Sequence, residues 1–167
     1  MKTIQKNGAH SGIPSHLDTE ARTGVASALR SVLLDAIDLH TQIKVAHWNI
    51  QGAQFAALHP LFDTYATALA GYIDAIAERI RVLGHLAVGT ARHVANHSRL
   101  PEYPQDTTTD MTHVELLLAR FDAFLPGAVA ARITADEVRD IDTADILTGM
   151  ISEFDKNAWF LRSALGR

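Results

Sequence analysis

The chain contains no cysteine in its 167 residues. A disulfide framework, a thiolate zinc site and a cysteine nucleophile are therefore excluded, and any metal chemistry must rely on oxygen and nitrogen ligands. Glycine-rich phosphate loops and the GxSxG and HExxH motifs are also missing, which argues against nucleotide-binding, serine-hydrolase and zincin functions. The chain also lacks Glu-x-x-His, the motif that a diiron site inside one four-helix bundle normally carries on two helices.

Long apolar segments are absent as well. No uninterrupted apolar run reaches about 18 residues, and the N-terminus lacks a charged segment followed by an apolar one. We therefore expect a soluble, cytoplasmic protein without a membrane partner. The length and the 47% hydrophobic content suffice for one domain with a sizeable core.

Helical periodicity predicts an all-α domain. The expected helices lie at about 19–46, 54–84, 112–132 and 143–164, with a short helical piece near 90–97. This order is typical of a four-helix bundle with one long crossover. Residues 1–18 are expected to form a flexible N-terminal arm, and residues 19–167 the folded domain.

Local signals refine the predicted ends of these helices. Thr112 with Glu115 forms a capping-box pattern, and Asp142 or Thr143 could cap the last helix. The Pro126-Gly127 pair predicts that the third long helix kinks or splits.

Four potential metal ligands share one face of the second predicted helix. At about 100° per residue, Asp63 lies ~40° from His59, and Asp74 and Glu78 lie ~60° and ~100° from it. The opposite arc carries the predicted core stripe, which comprises Leu58, Leu61, Phe62, Tyr65, Leu69, Tyr72, Ile73, Ile76, Ile80 and Leu83.

One helix cannot bring both ligand pairs to one metal, because about fifteen residues at 1.5 Å each separate them by roughly 22 Å. A second, antiparallel copy crossing near Ala68 would place His59 and Asp63 opposite Asp74 and Glu78 of the partner subunit. A twofold axis would then create two identical sites per dimer. Four small residues on the ligand face would let the helices approach closely: Ala66, Thr67, Ala70 and Gly71.

His47, in the loop after the first predicted helix, is a fifth potential ligand. Two imidazoles and three carboxylates suit iron, manganese or zinc, and redox-active iron in particular. The alternative is that the pairs on the second helix are ordinary surface neighbours, with Asp74 and Glu78 balanced by Arg79 and Arg81.

The motifs HWNIQG, F-x-x-L-H-P-L-F-D and Y-I-D-A-I-A-E-R resemble those of the Dps family, the miniferritins. The segments LPEYPQD and DIDTADILTGMISEFDKNAWFL resemble its later parts, so the similarity covers roughly residues 20 to 163. The resemblance implies a ferritin-like fold and a hollow twelve-subunit homo-oligomer. Such a shell oxidises ferrous iron, preferably with hydrogen peroxide rather than oxygen, stores the ferric product and protects DNA from oxidative damage.

The same resemblance assigns residues by motif position. The implied iron ligands are His47, His59 and Asp63 from one subunit, with Asp74 and Glu78 of the partner subunit. Zinc or manganese could substitute for iron. Trp48 matches a tryptophan beside the iron centre, where it would either intercept a one-electron oxidant or simply pack.

Acidic residues near the start of the last helix suggest a pore. In the family, carboxylates near this position line threefold pores that draw cations inward, and helix capping explains part of the same pattern. The candidate pore residues are Asp140, Asp142 and Asp145.

DNA binding is expected to be weak at neutral pH. The N-terminal arm carries few basic residues, namely Lys2, Lys6, His10 and His16, and the chain has a formal charge of -4. The alternative function is a mainly structural DNA-compacting shell with secondary metal sites, associated with the nucleoid.

Two histidine pairs could also bind a metal ion: His93 with His97, and His10 with His16.

Overall fold

Five helices build the chain in the computed structural model, which describes residues 15–167. They are α1 (Thr19–Asn49), α2 (Phe55–Val82), α3 (Ala91–His97), α4 (Asp110–Glu137) and α5 (Ile141–Ala164). Pairing between extended segments in this range is limited to one isolated bridge, between Gln51 and Thr109. The all-α prediction is confirmed, and each expected helix is present.

The four long helices form a bundle. α1 packs against both α2 and α4, α4 packs against α5, and α2 contacts α5. The short helix α3 lies against α1, within the long crossover that joins α2 to α4. None of the described helices is apolar over a length that could cross a membrane.

The core is built from the apolar stripe of α2 and the facing sides of its neighbours. Every residue of the predicted stripe is buried or partly buried. Tyr65 meets Phe121 edge to face at 5.7 Å between ring centroids, and Phe121 meets Phe154 at 5.2 Å. Ala66 is only 2% exposed. It therefore belongs to this core, and its assignment to the helix-crossing surface was wrong.

The Pro126-Gly127 pair predicted either a kink or a split, and the split is wrong, because α4 runs without a break through Pro126. Proline removes one backbone hydrogen bond, but Phe124, Leu125 and Ala128 on either side are buried. Their burial holds the helix together at this point. A Cβ built on Gly127 would lie 2.5 Å from the Arg99 guanidinium, so a larger residue here would require the end of the Arg99 side chain to shift.

The turn between α4 and α5 is capped by Asp140. Its carboxylate accepts hydrogen bonds from the backbone N–H of Thr143 at 3.2 Å and from the Thr143 hydroxyl at 2.6 Å. The predicted caps, Asp142 and Thr143, were therefore two and three residues too late. α4 also begins earlier than expected, with Thr109 at its N-cap, so Thr112 lies inside the helix.

Candidate metal centre

His47 and His59 face each other across the α1–α2 turn. The Nδ1 atom of His47 lies 2.8 Å from the His59 carbonyl oxygen, and Nδ1 of His59 lies 2.9 Å from the His47 carbonyl oxygen. The rings stack with centroids 3.8 Å apart. Because a carbonyl can only accept, each Nδ1 must donate, which leaves the Nε2 lone pair of both rings free. Histidines that bind metals usually have this arrangement.

The turn between these histidines is tied to the start of α4. The Gln51 N–H donates to the Thr108 carbonyl at 2.7 Å, and the Asp110 N–H donates to the Gln51 carbonyl at 2.8 Å. The Asp110 carboxylate accepts from the Gln54 N–H at 2.8 Å. Gly52 adopts φ 140° beside this carboxylate, where a Cβ would collide with it. These contacts fix the spacing of His47 and His59.

Asp63 lies one helical turn after His59 and pairs with Lys44, with 2.6 Å between the Lys44 Nζ and the carboxylate. The hydrogen bond and the charge of Lys44 hold the pKa of Asp63 below its usual value, and His47 and His59 lower it further. The carboxylate is therefore ionised at neutral pH and available to a cation that displaces the lysine.

Asp74 and Glu78 are exposed, and neither forms an ion pair or side-chain hydrogen bond within residues 15–167. The two arginines that could have balanced them have other partners. Arg79 donates to the Asp140 carboxylate at 2.5 Å, and Arg81 donates to the His85 carbonyl at 2.8 Å. The alternative that Asp74 and Glu78 are surface residues paired with these two arginines is therefore not supported.

The ligand candidates form two separate groups in a single chain. His47 and His59 touch, and Asp63 follows one turn later. Asp74 and Glu78 lie farther along α2, at a distance of roughly 22 Å from the first group. Among the described residues of one chain, no group of three or more histidine, aspartate or glutamate side chains is close enough to hold a metal.

Sequence reasoning from motifs missed Lys44, Asp110 and Gly52. Lys44 could have been found from its position one turn before His47 on α1. The Asp110 contact joins residues that are 56 positions apart, so no local pattern reveals it. Gly52 carries no side chain, so no motif marks it as part of the site.

Comparisons with known proteins agree with this architecture. A family model described as "Ferritin-like domain" matches residues 26–167. The DNA protection during starvation protein of Agrobacterium fabrum is 37% identical over 147 residues, which cover 88% of this chain and 91% of that protein. DpsC from Streptomyces coelicolor has a solved structure that superposes with a TM-score of 0.89 at 32% identity, covering 98% and 96% of the two chains. The chain belongs to the Dps family of ferritin-like proteins.

A more distant Dps relative adds a description of the superfamily. The solved Dps protein from Vibrio cholerae has a TM-score of 0.86 at 25% identity, and 94% of this chain is covered. That structure is described as a member of a broad superfamily of ferritin-like diiron-carboxylate proteins. The ferritin-like fold predicted from the sequence is confirmed.

Trp48 lies beside the histidine pair of this Dps chain and is 68% exposed. Phe55 is 46% exposed, and its ring lies 4.9 Å from that of His59. Two exposed aromatic residues therefore adjoin the histidine pair: Trp48 directly follows His47 in the sequence, and Phe55 lies one helical turn before His59. Trp48 is therefore not a packing residue of the core of its own chain.

The acidic residues proposed for a Dps pore separate into two kinds. Asp140 has no exposed surface and is held by Arg79 and Thr143. A fully buried carboxylate cannot line a channel, so Asp140 is a capping residue and its assignment to the pore was wrong. Asp142 and Asp145 are exposed and stay candidates for the pore.

The arm histidines were predicted as a possible metal-binding pair. His10 lies outside the described residues, whereas His16 contacts the Arg139 carbonyl.

Proposed function

We propose that this Dps protein oxidises ferrous iron at sites shared between two subunits and stores the ferric product inside a twelve-subunit shell. The observation that carries the proposal is the division of ligands in one chain. His59 and Asp63 of the histidine half share one face of α2 with the carboxylate half, Asp74 and Glu78, by the helical period, but the two halves lie too far apart to share an ion. A twofold axis would join each half to the complementary half of a partner subunit.

The surface between the two halves suits such a partner. Thr67, Ala70 and Gly71 are exposed and small, and a Cβ built on Gly71 would meet no atom within 4 Å. Two copies of α2 could therefore cross here with their backbones close together. The uncompensated Asp74 and Glu78 of the partner subunit would then face the free Nε2 atoms of His47 and His59.

Ferrous iron is the substrate of the proposed reaction. The Nε2 atoms of His47 and His59 would bind it together with Asp63, once the ion has displaced Lys44 from that carboxylate. Asp74 and Glu78 of the partner subunit would complete the site. Hard, anionic carboxylates stabilise the ferric product more than the ferrous substrate, so this ligand set favours oxidation.

The proposed oxidant is hydrogen peroxide, with oxygen as the alternative. Two ferrous ions each give up one electron, the O–O bond of one peroxide breaks, and two protons from solvent complete two water molecules. Coupling the reduction of one peroxide to the oxidation of two ferrous ions avoids release of a hydroxyl radical. Trp48, which follows His47 in the sequence, would intercept a stray one-electron oxidant by giving up an electron from its indole ring.

Anaerobic ferrous loading followed by peroxide addition tests the proposal. Ferric absorbance would be followed in wild type and in Asp74→Ala/Glu78→Ala, with size-exclusion chromatography to check assembly. The matched control is Glu20→Ala/Asp155→Ala, which removes two exposed carboxylates on other helices. Rapid oxidation in wild type and control, and its loss in an assembled Asp74→Ala/Glu78→Ala shell, would support the shared site. Equal rates in all three proteins would reject it.

Zinc and manganese would bind the same ligands. Zinc has no accessible redox change, so zinc added before ferrous iron should slow oxidation in wild type. Manganese should compete more weakly, because it stands lower than zinc in the general affinity order of divalent ions.

A mainly structural DNA-compacting shell is the second candidate, favoured by the name of the Agrobacterium relative, a DNA protection during starvation protein. The formal charge of -4 argues against strong binding. A mobility-shift assay with full-length protein and a variant lacking residues 1–14 distinguishes the DNA-compacting function from the ferroxidase function. Strong arm-dependent retardation at neutral pH, together with unchanged DNA protection in Asp74→Ala/Glu78→Ala, would favour the structural function.

A further inference from the structure

A second pair of histidines repeats the local geometry of the candidate metal centre. His93 and His97 lie one turn apart on α3, and their rings stack with centroids 4.2 Å apart and planes 24° apart. The corresponding values for His47 and His59 are 3.8 Å and 25°. In both pairs an Nδ1 atom binds the backbone carbonyl of the other histidine, at 2.8 Å for His97 and His93.

This hydrogen bond selects the tautomer of His97. Because the His93 carbonyl can only accept, the Nδ1 atom of His97 must carry the proton, and the Nε2 lone pair is left free. A backbone carbonyl that holds one ring nitrogen is the usual support for an imidazole that binds a metal through the other nitrogen. The His93 ring has no hydrogen-bond partner within residues 15–167, so it can turn to offer either nitrogen.

The pair is also accessible, and within the described chain neither ring forms a hydrogen bond or ion pair with another helix. α3 packs through its other side, where Val94 is buried and Ala91 and Ala95 line a cavity with α1. His93 is half-buried and His97 is exposed. Neither histidine forms an ion pair with a described carboxylate.

The ring spacing suits a chelated transition-metal ion. Two nitrogens bound at about 2.0–2.1 Å to one tetrahedral ion lie roughly 3.3 Å apart. Near-parallel rings with centroids 4.2 Å apart hold equivalent nitrogens at a comparable separation. Both side chains would have to rotate out of the stack on binding, so that the two lone pairs converge on one ion. Imidazole ligands without a carboxylate suit copper, nickel and zinc more than magnesium, calcium or manganese.

We propose that His93 and His97 form a second metal site, which binds a divalent transition ion such as Cu²⁺ or Ni²⁺ through two imidazoles. Water completes the coordination. This site is separate from the candidate iron centre, since it uses α3 alone and none of the residues of the α1–α2 turn. It does not depend on the proposed ferroxidase function.

Cu²⁺ titration of the untagged, assembled protein tests the proposal. The number of ions bound per chain would be measured by equilibrium dialysis, and the nitrogen ligands by electron paramagnetic resonance. Wild type should bind about one more ion per chain than His93→Gln/His97→Gln, and the extra ion should show two nitrogen ligands. The matched control His40→Gln removes a half-buried histidine of α1 and should bind as wild type does.

Single variants guard against loss of folding. His93→Gln and His97→Gln should each keep the helical circular dichroism of wild type and each weaken the site at least about tenfold, because one imidazole cannot chelate. Equal copper stoichiometry and spectra in wild type and the double variant would overturn the proposal. Slower ferrous oxidation in the double variant would also overturn it, because the pair would then act in the iron reaction instead of forming a separate site.

Discussion

Replacing Asp140 tests the buried ion pair at the α4–α5 turn. Asp140 has no exposed surface, whereas the side chain of its partner Arg79 is 12% exposed. Asp140→Ala removes the N-cap of α5, at a cost of about 1 kcal/mol. It also removes the buried partner of the Arg79 guanidinium, which keeps only the exposed Asp142 and the Thr143 hydroxyl as contacts among the described residues. This loss costs about 3 kcal/mol, the lower end of the range for broken buried pairs.

The sum of about 4 kcal/mol should lower Tm by roughly 8–16 °C for a chain of this length. Asp140→Asn keeps a capping side chain but loses the charge, so a smaller loss of about 1.5–3 kcal/mol is expected. The control is Asp142→Ala. Asp142 is an exposed residue 3.5 Å from the same arginine, and its removal should change stability by less than about 0.5 kcal/mol.

Differential scanning calorimetry of the assembled variants would measure these shifts, with ferrous uptake measured on the same samples. A Tm for Asp140→Ala equal to that of Asp142→Ala would refute the buried pair. Slower iron uptake by Asp140→Asn with an unchanged Tm would contradict a purely structural role for Asp140.

Three further variants probe the site and the core. Lys44→Gln removes the competitor for Asp63 and should tighten Co²⁺ binding severalfold, as seen in the cobalt absorption spectrum; unchanged affinity would mean that the ion pair does not compete. Gly52→Ala forces a side chain into φ 140°, so it should cost at least about 1–3 kcal/mol and slow iron oxidation, and a wild-type melting curve would contradict this. Burial lowers the pKa of His113 from its usual 6.5, opposed by a hydrogen bond to the Thr107 backbone. Below pH 6.5 the unfolded chain thus binds a proton that the folded chain resists, so wild type should lose stability on acidification more steeply than His113→Gln, and parallel Tm curves would argue otherwise.

Patterns that repeat along one helix were predictable from the sequence. The stripe from Leu58 to Leu83 and the opposite ligand face follow from the helical period alone, because burial of one face is what holds a helix in a bundle. Ala66 lies at the border between these faces. Its small side chain suits a core as well as a crossing surface, so composition could not assign it.

Contacts between distant segments were not predictable from local patterns. Two examples are the hydrogen bonds between Asp110 and the α1–α2 turn, and the Arg79–Asp140 ion pair. Both depend on how α4 and α5 are placed against the first two helices. Pro126 is the opposite case, in which a local pattern predicts a feature that tertiary packing prevents. The local rule predicts a break, but buried neighbours from the whole bundle keep α4 continuous.

Subunit mixing tests the central claim, a metal site shared between two chains, most directly. One chain would carry His47→Gln/His59→Gln and the other Asp74→Ala/Glu78→Ala, and equal amounts would be co-assembled. If sites are shared across a twofold axis, half of the dimers are mixed and each mixed dimer regains one of its two sites, so about one quarter of wild-type ferroxidase activity should return. Mixed shells as inactive as either parent, although fully assembled, would contradict the shared site.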